Sequence, residues 1–140
     1  MDSTAIIFVL LGVVLIAVVG VVYLMVGMHP KSRLSTDHYQ ADWLAIEHSL
    51  EPQNSASWQL AVMNADKLLD RALRESHVRG KTMGERMKAA DKLWRNSNHI
   101  WAAHKVRNQL AHETNMTITY DSAVRSLAAF RQGLKDLGAI

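Results

Sequence analysis

The sequence predicts an all-α protein in which one apolar helix precedes a bundle of about five amphipathic helices. Residues 3–28 form a run of 26 residues without a charged side chain. Beyond this run, apolar residues recur every three or four positions, which indicates helices, and no segment shows the alternation typical of strands. The chain contains no cysteine, so a disulfide framework and a thiolate metal site are excluded.

The apolar run near the N-terminus has the length of a membrane span. About 20 apolar residues cross the hydrocarbon layer of roughly 30 Å, so residues 1–28 are predicted to form a transmembrane anchor. A cleaved signal peptide is the alternative, but it needs a positive N-terminal region and an apolar stretch of only about 7–15 residues. Lys31 and Arg33 follow the run, whereas Asp2 precedes it. The positive-inside rule therefore predicts a single-pass membrane protein with its N-terminus outside and its C-terminal domain in the cytoplasm.

A polar linker, residues 29–35, is predicted to connect the anchor to the helical bundle, residues 36–140. The first bundle helix begins at Ser35 or Thr36, whose hydroxyl suits an N-cap, and Pro52 ends it. Its apolar positions, three or four residues apart, are Tyr39, Trp43, Ile46 and Leu50. The second helix begins between Ser55 and Ser57, and its wide apolar stripe, typical of a bundle helix, is Trp58, Ala61, Val62, Ala65, Leu68, Leu69, Ala72 and Leu73.

The last three helices follow recognisable start signals. Thr82 and Glu85 fit a capping box, in which a hydroxyl and a carboxylate each accept a hydrogen bond from a free backbone N–H. A third helix is therefore predicted over residues 83–94. Residues 96–98 break the chain and cap the fourth helix, and the loop 114–119 leads to the last. The apolar positions of that last helix are Val124, Leu127, Phe130 or Arg131, Leu134 and Leu137.

Positive charge is concentrated in one part of the predicted bundle. Residues 67–107 contain 11 lysines and arginines but only four acidic residues, although the formal net charge of the whole chain is +3. Such a segment attracts the phosphates of a nucleic acid or an anionic membrane surface. It is equally typical of the solvated faces of two helices, so charge alone does not distinguish a binding surface from an ordinary one.

The fourth bundle helix carries the polar residues that suggest chemistry. His104, Asn108 and His112 are spaced by four residues and share one face of the helix. Arg107 lies about 140° around an ideal helix from His112, at roughly 3.6 residues per turn. Arg107 and His112 can therefore act on one substrate only if the helix end distorts or a second chain completes the site.

The segment Arg107-Asn108-Gln109-Leu110-Ala111-His112 resembles the motif of the HEPN domains (higher eukaryotes and prokaryotes nucleotide-binding). Their hallmark is an arginine, four to six arbitrary residues and a histidine, often with asparagine directly after the arginine. The resemblance covers residues 55–137, while the apolar N-terminal run lies outside it. It implies a HEPN-like helical fold and a metal-independent endoribonuclease that works as a homodimer, with the motifs of two chains meeting in one cleft.

The resemblance assigns catalytic roles to Arg107, Asn108 and His112. RNA carries its own nucleophile, the 2′-hydroxyl, so a nuclease without metal needs a proton-transfer group and a cation beside the phosphate. His112 would transfer the proton, Arg107 would bind the phosphate, and Asn108 would orient one of them. The products would be a 2′,3′-cyclic phosphate and a 5′-hydroxyl. Contacts to the substrate or to a second chain are expected from Trp101, His104, Lys105 and Glu113.

Other interpretations of these residues stay open. Arg107 could form a salt bridge with Glu113 or Asp121, and His112 could simply favour the dipole at a helix C-terminus. The chain would then be a non-catalytic module at the membrane that dimerises or binds RNA, a nucleotide or a regulatory, antitoxin-like protein. An anchored helical scaffold is the third interpretation.

No metal or cofactor is predicted. His99, His104 and His112 are spaced by five and eight residues, which lacks the one-turn pairing of helical metal sites. No acidic residue accompanies them at a suitable spacing.

Overall fold

The computed structural model describes residues 3–27 and 34–140, and within the first range it describes the side chains of residues 3, 4, 7, 8 and 10–22. Every regular element in these ranges is helical, which confirms the predicted all-α class. The chain divides into two compact units, Met1–Lys31 and Ser32–Ile140. Most of the predicted linker lies outside the described residues.

Within its described residues, the first unit contains one helix, α1 (Ser3–Gly27), which is 25 residues long. None of these residues is charged. The described large apolar side chains of α1 are 52–74% exposed. Counted over the side chains that the structure describes, no helix of the chain is long and apolar enough to cross a membrane.

The second unit is a helical bundle. Its helices are α2 (Thr36–His48), α3 (Ser55–Glu75), α4 (Met83–Ala89), α5 (Ser97–His112) and α6 (Tyr120–Asp136), with a 3-10 turn at Asp91–Leu93. Helix α3 packs against α2, α4, α5 and α6, and α5 also packs against α6. The largest apolar side chains that are fully buried are Tyr39, Phe130, Leu69, Leu73, Met87, Ile100, Leu134 and Val62. Burial of each large side chain contributes about 1.5–3 kcal/mol.

The starts of α4 and α5 follow the predicted capping chemistry, whereas the predicted hydroxyl cap of α2 is wrong, because Ser35 at its N-cap makes no side-chain capping hydrogen bond. The Thr82 hydroxyl accepts a hydrogen bond from the Glu85 backbone N–H at 3.2 Å. The Glu85 carboxylate accepts from the Lys81 N–H at 2.6 Å, one residue earlier than in the usual capping box. Asn96 caps α5 by accepting from the His99 N–H at 3.3 Å. These contacts satisfy backbone donors that a helix leaves free at its first turn.

The third bundle helix is shorter than predicted. It ends at Ala89 instead of continuing to Trp94, because Ala90 leaves helical geometry with φ −88° and ψ 8°. Trp94 has extended backbone, and its indole N–H donates to the Met87 carbonyl at 3.0 Å. Trp94 is only 7% exposed. Trp94 is therefore buried as predicted, but its side chain reaches the core from extended backbone and not from a continued helix.

Arg86 fixes the loop between α3 and α4. Its side chain is 9% exposed, and its Nε and Nη2 donate to Asp70 Oδ1 at 2.9 and 2.6 Å. Its Nη1 donates to the Gly80 carbonyl at 2.8 Å. Gly80 has φ +148°, and a Cβ atom there would lie 2.6 Å from the Arg86 backbone nitrogen. The close approach and the backbone angle both require glycine at position 80.

Tyr39 joins α2 to α3 through its hydroxyl. The residue is 1% exposed, and the hydroxyl donates to Glu75 Oε2 at 2.9 Å. The Arg71 guanidinium lies 4.6 Å from the centre of the Tyr39 ring, and its Nη2 is 2.5 Å from Asp42. Burial raises the pKa of the Tyr39 phenol above its ordinary value of 10.0. The hydrogen bond to Asp42 raises the pKa of Arg71.

Tyr39→Phe is expected to lower the free energy of unfolding by about 1 kcal/mol at neutral pH, because it removes the hydrogen bonds of the hydroxyl with Glu75 and Arg71 and keeps the ring. The folded pKa of Tyr39 is raised, so the neutral phenol stabilises the fold below about pH 10, and this contribution is lost as the pH rises through the folded pKa. Denaturant unfolding at neutral and strongly alkaline pH should show a larger loss in the wild type than in the variant. Equal losses would count against this role of the phenol.

Candidate functional site

The candidate site lies where α3 and α5 face each other, around the carboxylate of Asp66. Asp66 is only 2% exposed. Its Oδ1 lies 2.8 Å from His104 Nδ1, and its Oδ2 lies 3.0 Å from Arg107 Nε. His104 and Arg107 are three residues apart on α5 and so occupy neighbouring turns of one face. Two side chains of α5 therefore contact the same buried carboxylate.

The ion pair with Arg107 explains how this carboxylate is tolerated in the interior. A buried charge is costly unless it is paired and hydrogen-bonded. Here Arg107 supplies the opposite charge and His104 the hydrogen bond. The Nε of Arg107 makes no well-aligned hydrogen bond to any described residue, so its contact with Asp66 is an ion pair without the geometry of a hydrogen bond. Arg107 Nη1 donates to Asn108 Oδ1 at 3.0 Å.

A small cleft of about 100 Å³ opens beside the Asp66 ion pair. Its walls are formed by Asp66, Lys67, Asp70, Arg74, Met83, His104 and Arg107. Arg74 lies 3.3 Å from Asp70, whereas the exposed Lys67 forms no ion pair with a described residue. Three permanent cations thus face two carboxylates. Sites for drug-sized ligands measure about 300–1,000 Å³, so this cleft suits one small anionic group such as a phosphate.

The structure brings Arg107 and Asn108 together but does not bring His112 to them. Asn108 is half-buried and orients the guanidinium of Arg107 through its carbonyl oxygen. His112 is exposed at the last residue of α5. The helix is continuous up to His112, so the angular separation from Arg107 persists. The structure shows no distortion of the helix end that would bring His112 to Arg107, so joint action of the two residues on one substrate would need a second chain.

The predicted polar face of α5 is divided in the structure. His104 is only 8% exposed because its ring turns towards Asp66, so it does not form a continuous surface with His112. Trp101 is 36% exposed, and its ring meets the His104 ring edge-on at 6.2 Å. Lys105 and Glu113 are exposed, as expected of contact residues. Neither Glu113 nor Asp121 pairs with Arg107.

Asp66 is the residue of the candidate site that the sequence interpretation missed. It occupies a position on the apolar stripe of α3, four residues after Val62 and three before Leu69. An acid among apolar residues at helical spacing has to find a buried partner. That signal was present in the sequence, but the identity of the partner depends on how α5 packs on α3.

The described residues contain no group of three His, Cys, Asp or Glu side chains that could hold a metal ion. Comparison with known proteins gives no match for this chain among family models, curated proteins or solved structures. The geometry around Asp66 and Arg107 is therefore the basis for assigning a function.

Proposed function

We propose that this chain is a membrane-anchored, HEPN-like endoribonuclease that cleaves RNA without a metal ion, in a site completed by a second copy of the chain. The observation that carries the proposal is the placement of Arg107. Asp66 and Asn108 hold its guanidinium at the mouth of the cleft, and Nη2 makes no hydrogen bond to a described residue. A fixed cation with free donors is what a phosphate contact requires.

The chemistry follows from the nucleic acid. The 2′-hydroxyl attacks the adjacent phosphorus, and negative charge grows on the phosphate oxygens. Arg107 stabilises that charge, with Lys67 beside it in the cleft. His112 transfers a proton through its imidazole ring. The 5′ oxygen leaves as a hydroxyl, and the other fragment ends in a 2′,3′-cyclic phosphate.

The second copy is proposed because Arg107 and His112 diverge within one chain. A groove of about 610 Å³ runs between α5 and α6. Its floor and walls contain many small side chains, which allow close approach of another helix; these are Ala102, Ala103, Ser122, Ser126, Ala128 and Ala129. We place the dimer contact along this groove, because α5 also carries the motif residues.

The anchor is proposed from α1. The helix is uncharged over 25 residues, and its described apolar side chains are exposed. An exposed apolar surface of this kind needs a non-aqueous or protein environment. With Lys31 and Arg33 after the helix, the bundle would face the cytoplasm. Membrane attachment would confine copies to one plane, which raises their local concentration and favours the dimer.

A non-catalytic binding module is the second candidate. It is favoured by the same ion pair, because Asp66 compensates the charge of Arg107 and could hold it in a purely structural role. Such a module would bind RNA, a nucleotide or an antitoxin-like protein without changing it. The two candidates differ in whether a bound RNA is cut.

Arg107→Ala is expected to lower the rate of RNA cleavage by about 10²–10³-fold, which is the usual effect of removing one group that stabilises transition-state charge. The assay uses the full chain in detergent micelles, with labelled RNA and excess EDTA. Arg79→Ala is the matched control, because Arg79 is exposed and forms no ion pair with a described residue. Cleavage by the Arg107 variant at the wild-type rate would exclude this site. Binding without cleavage by the wild type would favour the module.

A further inference from the structure

We infer that His104 is a second proton-transfer residue, which acts as the general base on the 2′-hydroxyl of RNA in the cleft that contains Arg107. The inference rests on the proposed ribonuclease function. It adds to that function a residue outside the arginine-to-histidine motif and assigns a role to the buried Asp66.

The contact with Asp66 determines which tautomer the His104 ring adopts. An ionised carboxylate can only accept hydrogen bonds, so at 2.8 Å from Asp66 Oδ1 the His104 Nδ1 is the nitrogen that carries the proton. In the neutral ring, Nε2 is then left with its lone pair. Nε2 has no hydrogen bond to a described residue. In the described part of the chain, the fully buried side-chain atoms without a partner are Trp43 Nε1 and Arg107 Nε, so His104 Nε2 is not one of them. The basic nitrogen is therefore open to solvent.

This arrangement is the one by which a carboxylate orients a histidine for proton transfer. The carboxylate holds the imidazole in one tautomer and stabilises the imidazolium that forms when Nε2 takes up a proton. A buried histidine in a structural role also needs a partner for its N–H, so the feature that suggests proton transfer is the second nitrogen, Nε2, which has no partner among the described residues. If Asp66 needed only a structural partner beside Arg107, any neutral hydrogen-bond donor would serve as well as a histidine.

The position of His104 in the cleft matches the proposed phosphate contact. His104 and Arg107 both line the cleft, whereas His112 of the same chain does not. A phosphate bound by Arg107 and Lys67 therefore brings its neighbouring ribose close to the His104 ring. The His104 ring also meets the Trp101 ring edge-on, at 6.2 Å between centroids.

Several charged groups face this ring. From α3 these are Asp66, Lys67, Asp70 and Arg74, and from α5 there is Arg107; the α4 residue Met83 is uncharged. Asp66 is in direct contact with the ring, and Arg107 pairs with the same carboxylate.

The step balances without a co-reactant. His104 Nε2 accepts the proton of the 2′-hydroxyl as the bond from this oxygen to phosphorus forms. The bond from phosphorus to the 5′ oxygen breaks, and this oxygen takes a proton from His112 of the second copy. The products are the cyclic phosphate and the 5′-hydroxyl, and solvent exchange restores both histidines.

His104→Gln in the full chain tests the inference. We expect the cleavage rate to fall by about 10²-fold or more and the acidic limb of the pH–rate profile to disappear, because the base that must be unprotonated is gone. His38→Gln, an exposed histidine on α2, is the matched control and should keep the rate and the profile. A His104 variant that retains the wild-type rate, or a slower one that retains the acidic limb, would overturn the inference.

Because His104 is buried, a measurement on the wild type complements the variant. Addition of uridine 3′-monophosphate should shift the imidazole NMR signals of His104 and leave those of His38 unchanged. Unshifted His104 signals at saturating nucleotide would overturn the inference even if the glutamine variant fails to fold. A wild type that cleaves no RNA overturns the proposed function and the base role together. Cleavage that survives His104→Gln overturns the base role alone.

Discussion

His112→Ala is expected to lower the rate of RNA cleavage by about 10²–10⁴-fold, because it removes a proton-transfer group from the reaction. The side chain is exposed at the end of α5. It forms no hydrogen bond or ion pair with another described residue, so the unfolding temperature should stay close to that of the wild type. A variant that keeps the wild-type rate would show that the motif histidine has no catalytic role.

Co-expression of Arg107→Ala with His112→Ala chains tests whether the site is composite. If each site uses Arg107 of one chain and His112 of the other, a mixed dimer contains one intact site. Random pairing makes half of the dimers mixed, so activity should return to about one quarter of the wild-type value. Each variant alone should remain inactive. Absence of recovery in mixed dimers that are shown to form would exclude a site shared between chains.

Gly80→Ala is expected to lower the free energy of unfolding by about 3 kcal/mol, since strained backbone and a steric clash act together. An alanine would have to adopt φ +148°, and its Cβ would lie 2.6 Å from the Arg86 backbone nitrogen. Relief of this clash displaces Arg86 from Asp70 and from the Gly80 carbonyl. The effect reaches the functional site, because Asp70 lines the cleft.

Gly84→Ala is the matched control for this prediction. Gly84 lies in α4, and a Cβ atom there would meet the Trp101 ring at 3.8 Å, an ordinary contact. Gly84 is the second residue of α4, and alanine in its place is expected to stabilise this first turn by at most about 1 kcal/mol, the value for a helix interior. Denaturant unfolding should therefore separate the two variants in opposite directions. Equal stability of the Gly80 variant and the wild type would contradict the role assigned to this loop.

The parts of the fold that depend on local chemistry could be predicted from the sequence. Thr82 and Asn96 begin helices through contacts with residues three positions away, and the apolar spacing of α2 indicated the buried face with Tyr39 and Trp43. The end of α4 could not be predicted, because the Trp94 indole bonds to Met87 only after the chain has turned. The spacing of apolar residues along a helix does not indicate that a side chain beyond the helix end will bond back to it.

The site was predictable only in part for the same reason. The motif supplied Arg107 and Asn108, which the structure places in contact. The sequence predicts Glu113 or Asp121 as the partner of Arg107, whereas the observed partner, Asp66, comes from a different helix. Contacts between α3 and α5 are a property of the packed core. They also explain why His104 faces a carboxylate and not solvent.

The chemical ends of the RNA fragments test the central claim most directly. The wild-type chain in detergent micelles is incubated with single-stranded RNA in excess EDTA, and the fragments are identified by mass spectrometry. Attack by the 2′-hydroxyl at a site built from Arg107 and His112 predicts 2′,3′-cyclic phosphate ends and matching 5′-hydroxyl ends. Fragments with 3′-hydroxyl and 5′-phosphate ends, or RNA that stays intact, would contradict the account.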